Sequence, residues 1–431
     1  MTILKRRIPY GISNFEEITS GKYYYVDKTQ YIEIIENVNW PIFLRPKRFG
    51  KSLLTEMLKW YYDIKAKDKF EKIFGELYIG KHPTGKQNSY FVMMLNFSGM
   101  DTLVGSEAEL KQHFSRHIVS QFKKFLSYYS QIFTIDKTYL SDYFNTYQYD
   151  ATSGLIEVLR LVEGTGKKLY LCIDEYDSLT NALAIRYRYT EKNDNMYLKI
   201  LQKGGFFRTF FEELKTATSS TIQQIYITGV LPITISDMKS GYNIATWITF
   251  SPEFANMLGI TQNELDELID TIYSDYHVTI DKFQLKETVK QYYNGYRTIK
   301  QTDDLYNPMM ALYFLDYVAR YDKYPPDLND KNTRIDYGQI AFLFGQNKEK
   351  RDRIIKEITE KKEIRHLSTL NVSFDMADYR DGKYITEGLF YSGILTQSNK
   401  RGKLVIPNIV TYNFALEYFK NILKFELNNE N

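Results

Sequence analysis

Three consecutive residues, Gly50, Lys51 and Ser52, carry the clearest chemistry in this 431-residue chain. They lie in Ile42–Leu54, IFLRPKRFGKSLL, with an apolar run before them and an amphipathic run after. A strand, a turn closing on Gly-Lys-Ser/Thr and a helix form the arrangement that cradles phosphate. Backbone N–H groups at the helix start, and its positive dipole end, face the anion. Arg48, Phe49, Gly50, Lys51, Ser52 and Leu53 are therefore the candidate phosphate-binding residues. Gly50 would let the backbone approach closely, Lys51 would reach the β and γ oxygens, and the Ser52 hydroxyl would ligate magnesium. A second constellation is KLYLCIDEYD at Lys168–Asp177, where a hydrophobic strand delivers Asp174 and Glu175 at its carboxyl end. Asp174 would hold a metal-bound water and Glu175 would orient or deprotonate an attacking water. The plainer alternative is two acids capping the next helix. A third element is QIYITGVL at Gln224–Leu231. Its Thr228 could sense a terminal phosphate, although Thr before Gly is also a common way to end a strand.

The tripeptide alone is weak evidence, since a bare Gly-Lys-Ser/Thr arises by chance in roughly one chain in five of this length. The strand before it and the helix after it add the specificity. One departure stands out. Arg45 occupies the place of the pattern's first glycine, and Pro46 after it has no N–H to offer. The loop must therefore take a stiffer path. Other constellations fail. His113 and His117 sit at i, i+4, but Phe114 stands where a zinc protease needs Glu. Cys172 lies mid-strand and reads as core. Arg186, Arg188, Arg208 and Arg297 are candidates for a charge-stabilising arginine, and nothing in the sequence selects among them.

These residues need a scaffold. Apolar strands are expected at Ile42–Leu44, Tyr90–Phe97, Leu169–Ile173 and Gln224–Thr228. Helices are expected near Lys51–Lys65, Glu107–Tyr129, Thr152–Glu163 and Tyr197–Lys215. Short apolar strands alternating with helices predict an α/β fold with a mostly parallel sheet between helices. Such sheets bind ligands at their carboxyl ends, where the motifs fall. Beyond about residue 240 helical periodicity dominates, as at Thr261–Tyr273 and Leu285–Tyr293. The segment Asp322–Arg334, with Pro325–Pro326, reads as a linker. Lys348–Arg365 reads as an exposed helix with ion pairs Glu349–Arg353, Asp352–Lys356 and Glu357–Lys361. Turns at Asp381–Gly382 and Lys400–Gly402 fit a small winged-helix-like module. The expected division is a core with its lead-in over 1–240, a helical lid over 241–330 and that module over 331–431.

Composition sets outer bounds. A net charge of +3 supplies no field that marks nucleic acid as a partner. Aromatics make up 16%, including 38 Tyr, which suits large cores and interfaces. A single cysteine excludes an internal disulfide and fits a reducing compartment. No apolar run has the length of a signal peptide core or of a membrane span. A cytoplasmic protein without a membrane partner is expected.

The motifs as a set resemble the bacterial and archaeal AAA-ATPase-like proteins usually found fused to a C-terminal PD-(D/E)XK nuclease domain. The matching segments are IPYGISNFEEI at 8–18, YYYVDKTQYI at 23–32, FLRPKRFGKSLL at 43–54 and CIDEYDSL at 172–179. ITGVLPI at 227–233, YYNGYR at 292–297, YNP at 306–308, LFYSGIL at 389–395 and IPN at 406–408 follow in order. The resemblance implies a P-loop NTPase core with an extra strand between the strands bearing the phosphate loop and the acids. It implies ATP and Mg2+ as ligands, Lys51 and Ser52 on phosphate and metal, Asp174 and Glu175 as the acid pair, and Thr228 as a sensor. It also places VDKT at 26–29 on the adenine side and makes Arg45 and Pro46 ordinary for the family. The chain stops about two dozen residues after IPN, with no Asp…Glu-x-Lys set there, so nuclease activity is not expected. The expected function is an ATP-hydrolysing regulatory switch acting on a protein partner, a nucleic acid or a second copy of itself, with the net charge giving nucleic acid no support. The alternatives are a non-hydrolysing ATP-bound scaffold and a nucleic-acid-associated defence ATPase.

Overall fold

The computed structural model describes residues 6–186, 195–299, 303–333, 347–366, 369–376 and 382–429, the last nine of these by backbone alone. Its centre is a five-stranded parallel sheet of β1 (Pro41–Leu44), β2 (Phe91–Asn96), β3 (Leu169–Asp174), β4 (Ile222–Gly229) and β5 (Thr246–Trp247). The strand order is β2-β3-β4-β1-β5, so β4 lies between β1 and β3. Four of these strands stand where apolar runs predict them. The fifth pairs with β1 only through Pro41↔Thr246 and Ile42↔Trp247, too short a ladder to leave a period in the sequence. Every residue of β1 and β3 is buried. That follows from helices covering both faces, which removes the usual alternation of polar and apolar positions.

The Lys51–Tyr62 helix packs on one face through Leu54, Met57, Leu58, Tyr61 and Tyr62, joined by Phe15, Ile32 and Phe74. The other face carries the helices Glu107–Tyr128, Ala151–Gly164 and Phe206–Ala217, where Phe97, Phe114, Phe207, Phe210 and Phe211 meet edge to face. The expected helix to Lys65 stops at Tyr62. Asp63 turns extended there, and its buried carboxylate accepts the hydroxyls of Tyr128 and Tyr129 at 2.8 and 2.7 Å. The expected helix Tyr197–Lys215 is two helices, Met196–Leu201 and Phe206–Ala217. Gly204 breaks it at φ +86°, and a Cβ on Gly205 would stand 2.4 Å from the carbonyl of Lys199.

Helices Lys137–Tyr147, Pro308–Tyr321 and Ile409–Asn429 were not anticipated. The Pro308 helix does carry a local signal, because Asn307 accepts the N–H of Met309 at 3.0 Å and proline fills the first turn. Further on, the expected helix Lys348–Arg365 is a shorter helix, Lys348–Lys361, followed by β6 (Glu363–Arg365). It is not simply exposed, since Ile354, Ile355 and Ile358 are buried. Asp352 takes Arg351 at 2.8 Å, its neighbour rather than the residue a turn away. With β7 (Thr396–Gln397) and β8 (Lys403–Val405), β6 makes an antiparallel sheet in the order β6-β8-β7. The expected turn at Lys400–Gly402 joins β7 to β8, while Asp381 and Arg334 lie outside the described residues. Among the described residues no helix is long and apolar enough to cross a membrane.

The C-terminal region also reaches the core at Asp237, which accepts the Tyr197 hydroxyl and the N–H of Met376, the latter at 3.2 Å. Burial pushes this carboxyl up to about 6. An acid raised by folding binds its proton more tightly in the native state, so its contribution to stability falls as pH rises from about 4 to about 6. Asp237→Asn is expected to remove that slope. Urea denaturation of both proteins from pH 4.5 to 7 checks this, and parallel stability curves would refute it.

Candidate functional site

Beyond Leu44 the Arg45 N–H continues the pairing with β4, reaching the Gly229 carbonyl at 3.3 Å. The Arg45 side chain then turns inward. Its guanidinium is buried, donates to the carbonyls of Leu44 at 2.9 Å and Thr249 at 3.1 Å, and lies 4.1 Å from the centre of the Phe43 ring. Burial pushes its ionisation down to about 9, opposed by the phenols of Tyr226, Tyr391 and Tyr31. The residue in place of the pattern's glycine therefore ties the tip of β1 to the segment after β5. Arg48 at φ +70° and Gly50 at φ +96° then wind the chain into the helix. A Cβ on Gly50 would meet only Leu258 at 3.7 Å. The left-handed backbone, more than crowding, is what asks for glycine there.

The helix begins without a side-chain cap, so the N–H groups of its first turn at Lys51, Ser52 and Leu53 point outward. Lys51 Nζ donates to the carbonyls of Arg45 and Pro46, both at 3.0 Å, which uses two of its three protons. Burial lowers the affinity of this amine for its proton, while Asp174, Asp177 and Glu175 raise it. Ser52 Oγ donates to Asp174 Oδ2 at 2.6 Å, and the Glu175 N–H donates to Asp174 Oδ1 at 2.9 Å. Glu175 itself sits at φ +50°, a strained backbone for a residue with a Cβ. Burial first, and Asp174 second, raise its carboxyl above the ordinary value, with Lys51 opposing. A raised carboxylate is a better base near neutral pH.

A cavity of about 620 Å³ opens over this floor. Arg48, Phe49, Gly50, Lys51, Ser52, Leu53 and Glu175 line it at one end. Tyr24, Val26 and Lys28 from the lead-in, and Leu258, Ile260 and Met309 from beyond the sheet, also line it. Asp174 stands behind Ser52, outside the lining. Thr228 is fully buried and its hydroxyl donates to the Phe43 carbonyl at 2.8 Å, so it does not face the cavity. The segment VDKT divides: Val26 and Lys28 line the cavity, whereas Asp27 caps the Thr29 and Tyr78 N–H groups at 2.8 and 2.7 Å. Lys28 is held by Glu264 at 2.6 Å.

Of the arginine candidates, Arg186 donates to the Thr102 carbonyl, Arg208 pairs with Glu212 at 2.9 Å and Arg297 with Asp304 at 2.8 Å. None of these three lines the cavity, and Arg188 lies outside the described residues. His113 and His117 contact the carbonyls of Asp101 and Asn96. Among the described residues no cluster of three His, Cys, Asp or Glu could cage a metal. Magnesium does not require one, because it commonly takes one or two protein oxygens with substrate phosphates and water. The adjoining Ser52 hydroxyl and Asp174 carboxylate fit that donor set.

Sequence reasoning missed Asp177. Its buried carboxylate accepts the N–H of Leu231 at 2.7 Å, that of Val230 at 3.2 Å and Asn181 Nδ2 at 2.8 Å. It fastens the chain after β3 to the chain after β4, and a Cβ on Gly229 would stand 2.4 Å from it. The signal was present in the third acid of the motif, but only the first two fit a chemical role. The lining from beyond residue 240 left no local signal, since only the fold brings it near the loop.

Residues 9–239, just over half of the chain, match the family model described as predicted AAA-ATPase. A curated protein described as an uncharacterised protein in the vnfD 5' region of Azotobacter chroococcum mcd 1 is 22% identical over 317 residues. That stretch covers 72% of this chain, and the chain spans about half, 51%, of that relative's length. Among solved structures, Aeropyrum pernix ORC1 in complex with DNA aligns over 95% of this chain and 98% of its own, at 8% identity and a TM-score of 0.35. Cdc6p from Pyrobaculum aerophilum aligns over 98% and 97%, at 9% identity and a TM-score of 0.27.

Replacing Asp177 by Ala leaves the buried N–H groups of Val230 and Leu231 without their acceptor. The expected cost is about 1–3 kcal/mol of unfolding free energy. Glu175→Gln should stay within about 0.5 kcal/mol of the parent. Equal losses in urea titrations of the two variants would show that Asp177 does not fasten the strand ends.

Proposed function

This chain belongs to the AAA-ATPase_like family of predicted AAA-ATPases, and from that premise we propose that it binds ATP with Mg2+ and hydrolyses it as a regulatory switch. One observation carries the reading. An uncapped helix start, Lys51, Ser52 and Glu175 share the floor of one cavity, with Asp174 hydrogen-bonded to Ser52. In this reading the remaining Lys51 proton and the N–H groups at the helix start take phosphate oxygens. Ser52 and Asp174 hold the magnesium ion, which when bound neutralises phosphate charge. Glu175 takes the proton of the attacking water. Thr228 joins as a sensor only if its hydroxyl leaves Phe43 when nucleotide binds.

With a core over 1–240 and a helical lid over 241–330, the reading puts the cavity between them, supported by the lining residues Leu258, Ile260 and Met309. ATP would therefore bridge the two parts, and its loss would separate them. The small antiparallel sheet and its helices support a winged-helix-like module over 331–431, through which a protein partner or a second copy would receive the signal. A second reading, an ATP-bound scaffold that does not hydrolyse, draws on two facts. The Thr228 hydroxyl is engaged by Phe43, and Arg186, Arg208 and Arg297 all lie off the cavity.

Two variants separate these readings. Lys51→Ala is expected to weaken Mg-ATP binding at least about tenfold, the equivalent of about 1.4 kcal/mol. Glu175→Gln should keep that affinity and slow phosphate release about a hundredfold or more. Unchanged binding by Lys51→Ala in titration calorimetry would overturn ATP binding at this site. Tight binding with no turnover in the parent protein would select the scaffold.

A further inference from the structure

Four motifs have no part in the chemistry above: YYNGYR, YNP, LFYSGIL and IPN. Three of them meet beneath the phosphate loop. Gly295, at φ +97°, lies so close to the IPN segment that a Cβ there would stand 2.1 Å from the Pro407 carbonyl. Asn408 of the same segment donates to the Asn294 carbonyl at 2.9 Å. The next residue of YYNGYR, Tyr296, joins its hydroxyl to Thr411 Oγ1 at 3.0 Å, and Thr411 in turn donates to Asn408 Oδ1 at 3.0 Å. Arg297 is locked to Thr396, whose hydroxyl donates back to the Arg297 carbonyl at 2.8 Å. The knot is buried and its hydrogen bonds close on themselves, so its parts hold one another in fixed positions.

The loop touches this knot at two points. The Phe49 ring meets the Tyr296 ring edge-on at 5.0 Å, and with Leu305 the two form a buried cluster separate from the main cores. Pro46 packs against Gly393 of LFYSGIL so closely that a Cβ on Gly393 would stand 2.8 Å from it. Both contacts fall on the loop itself, on either side of Lys47 and Arg48. The Pro46 carbonyl is also one of the two that Lys51 grips.

We propose that Tyr296 is a positioning residue for the phosphate loop, and that nucleotide occupancy is felt through it by the C-terminal segment 406–412 and through Pro46 on Gly393 by the segment 389–395. Its ring edge holds Phe49, and so the backbone at Gly50 and Lys51, in phosphate-ready shape. Its hydroxyl carries that shape to Thr411 and Asn408. The proposal rests on the ATP-binding reading.

The experiment is hydrogen exchange of the whole chain with and without a non-hydrolysable Mg-ATP analogue, alongside analogue affinity. In the parent, protection is expected at 48–56 and also at 389–395 and 406–412. Tyr296→Leu should bind the analogue about tenfold more weakly and lose the protection at 406–412. Tyr296→Phe keeps the ring and should restore affinity to within about twofold, and Thr411→Val tests the hydroxyl link should the Leu variant not fold. It should keep analogue affinity and lose protection at 406–412. A parent that binds no analogue overturns the ATP-binding reading itself. A parent protected at 48–56 but unchanged at the two C-terminal segments, or a Tyr296→Leu with parental affinity, overturns this proposal alone.

Discussion

Where the parallel strands end relative to one another is set by β4. Its register pairs Phe43 with Thr228 on one side and Ile173 with Ile227 on the other. The tips of β1 and β3 are thereby brought level, although Leu44 and Asp174 stand 130 positions apart in the chain. The contact between Ser52 and Asp174 depends on that alignment. A shift of one residue would turn every side chain of a strand to the opposite face and carry Asp174 away from the helix start. Asp177 then holds the level by fastening the chain after β3 to the chain after β4 at Val230 and Leu231. The Thr228 hydroxyl on Phe43 ties β4 to β1 from the other side.

Tyrosine recurs wherever remote segments are joined. Tyr10 reaches Asp330, Tyr24 reaches Asp275, Tyr62 reaches Glu36, and Tyr128 with Tyr129 reach Asp63, at 2.7 to 2.9 Å. In each pair a phenol hydroxyl donates to the carboxylate, at Glu36 alongside the Lys86 ammonium at 3.1 Å. A phenol brings a large apolar ring and needs no second charge to be taken out of water, so such ties avoid the desolvation cost of a buried ion pair. Burial accordingly holds the phenols of Tyr24 and Tyr129 far above their usual ionisation. The unusual tyrosine content is thus spent largely within the fold.

The chemistry-bearing residues were legible because each occupies a local pattern. Lys51 and Ser52 follow an apolar strand, and Asp174 and Glu175 end another. The four long strands were legible for the same reason, as continuous apolar runs. What stayed hidden depended on distance in the chain. β5 makes too few pairs to show a period, and Leu258, Ile260 and Met309 join the cavity only through tertiary packing. The break at Gly204–Gly205 was overridden by the apolar run on either side of it. Thr228 marks the limit of strand-end reasoning. Its position on β4 could be inferred, but which way its hydroxyl turns was decided by the Phe43 carbonyl.

Arg45 looks in the sequence like damage to a glycine pattern. Inside the fold it is a brace whose guanidinium bridges β1 and the chain after β5, with no carboxylate among the described residues paired to it. An attempt to restore the general loop pattern by placing glycine there would therefore remove a support and leave the carbonyls of Leu44 and Thr249 without their donor. Position 45 has become a dependent of the two segments it joins.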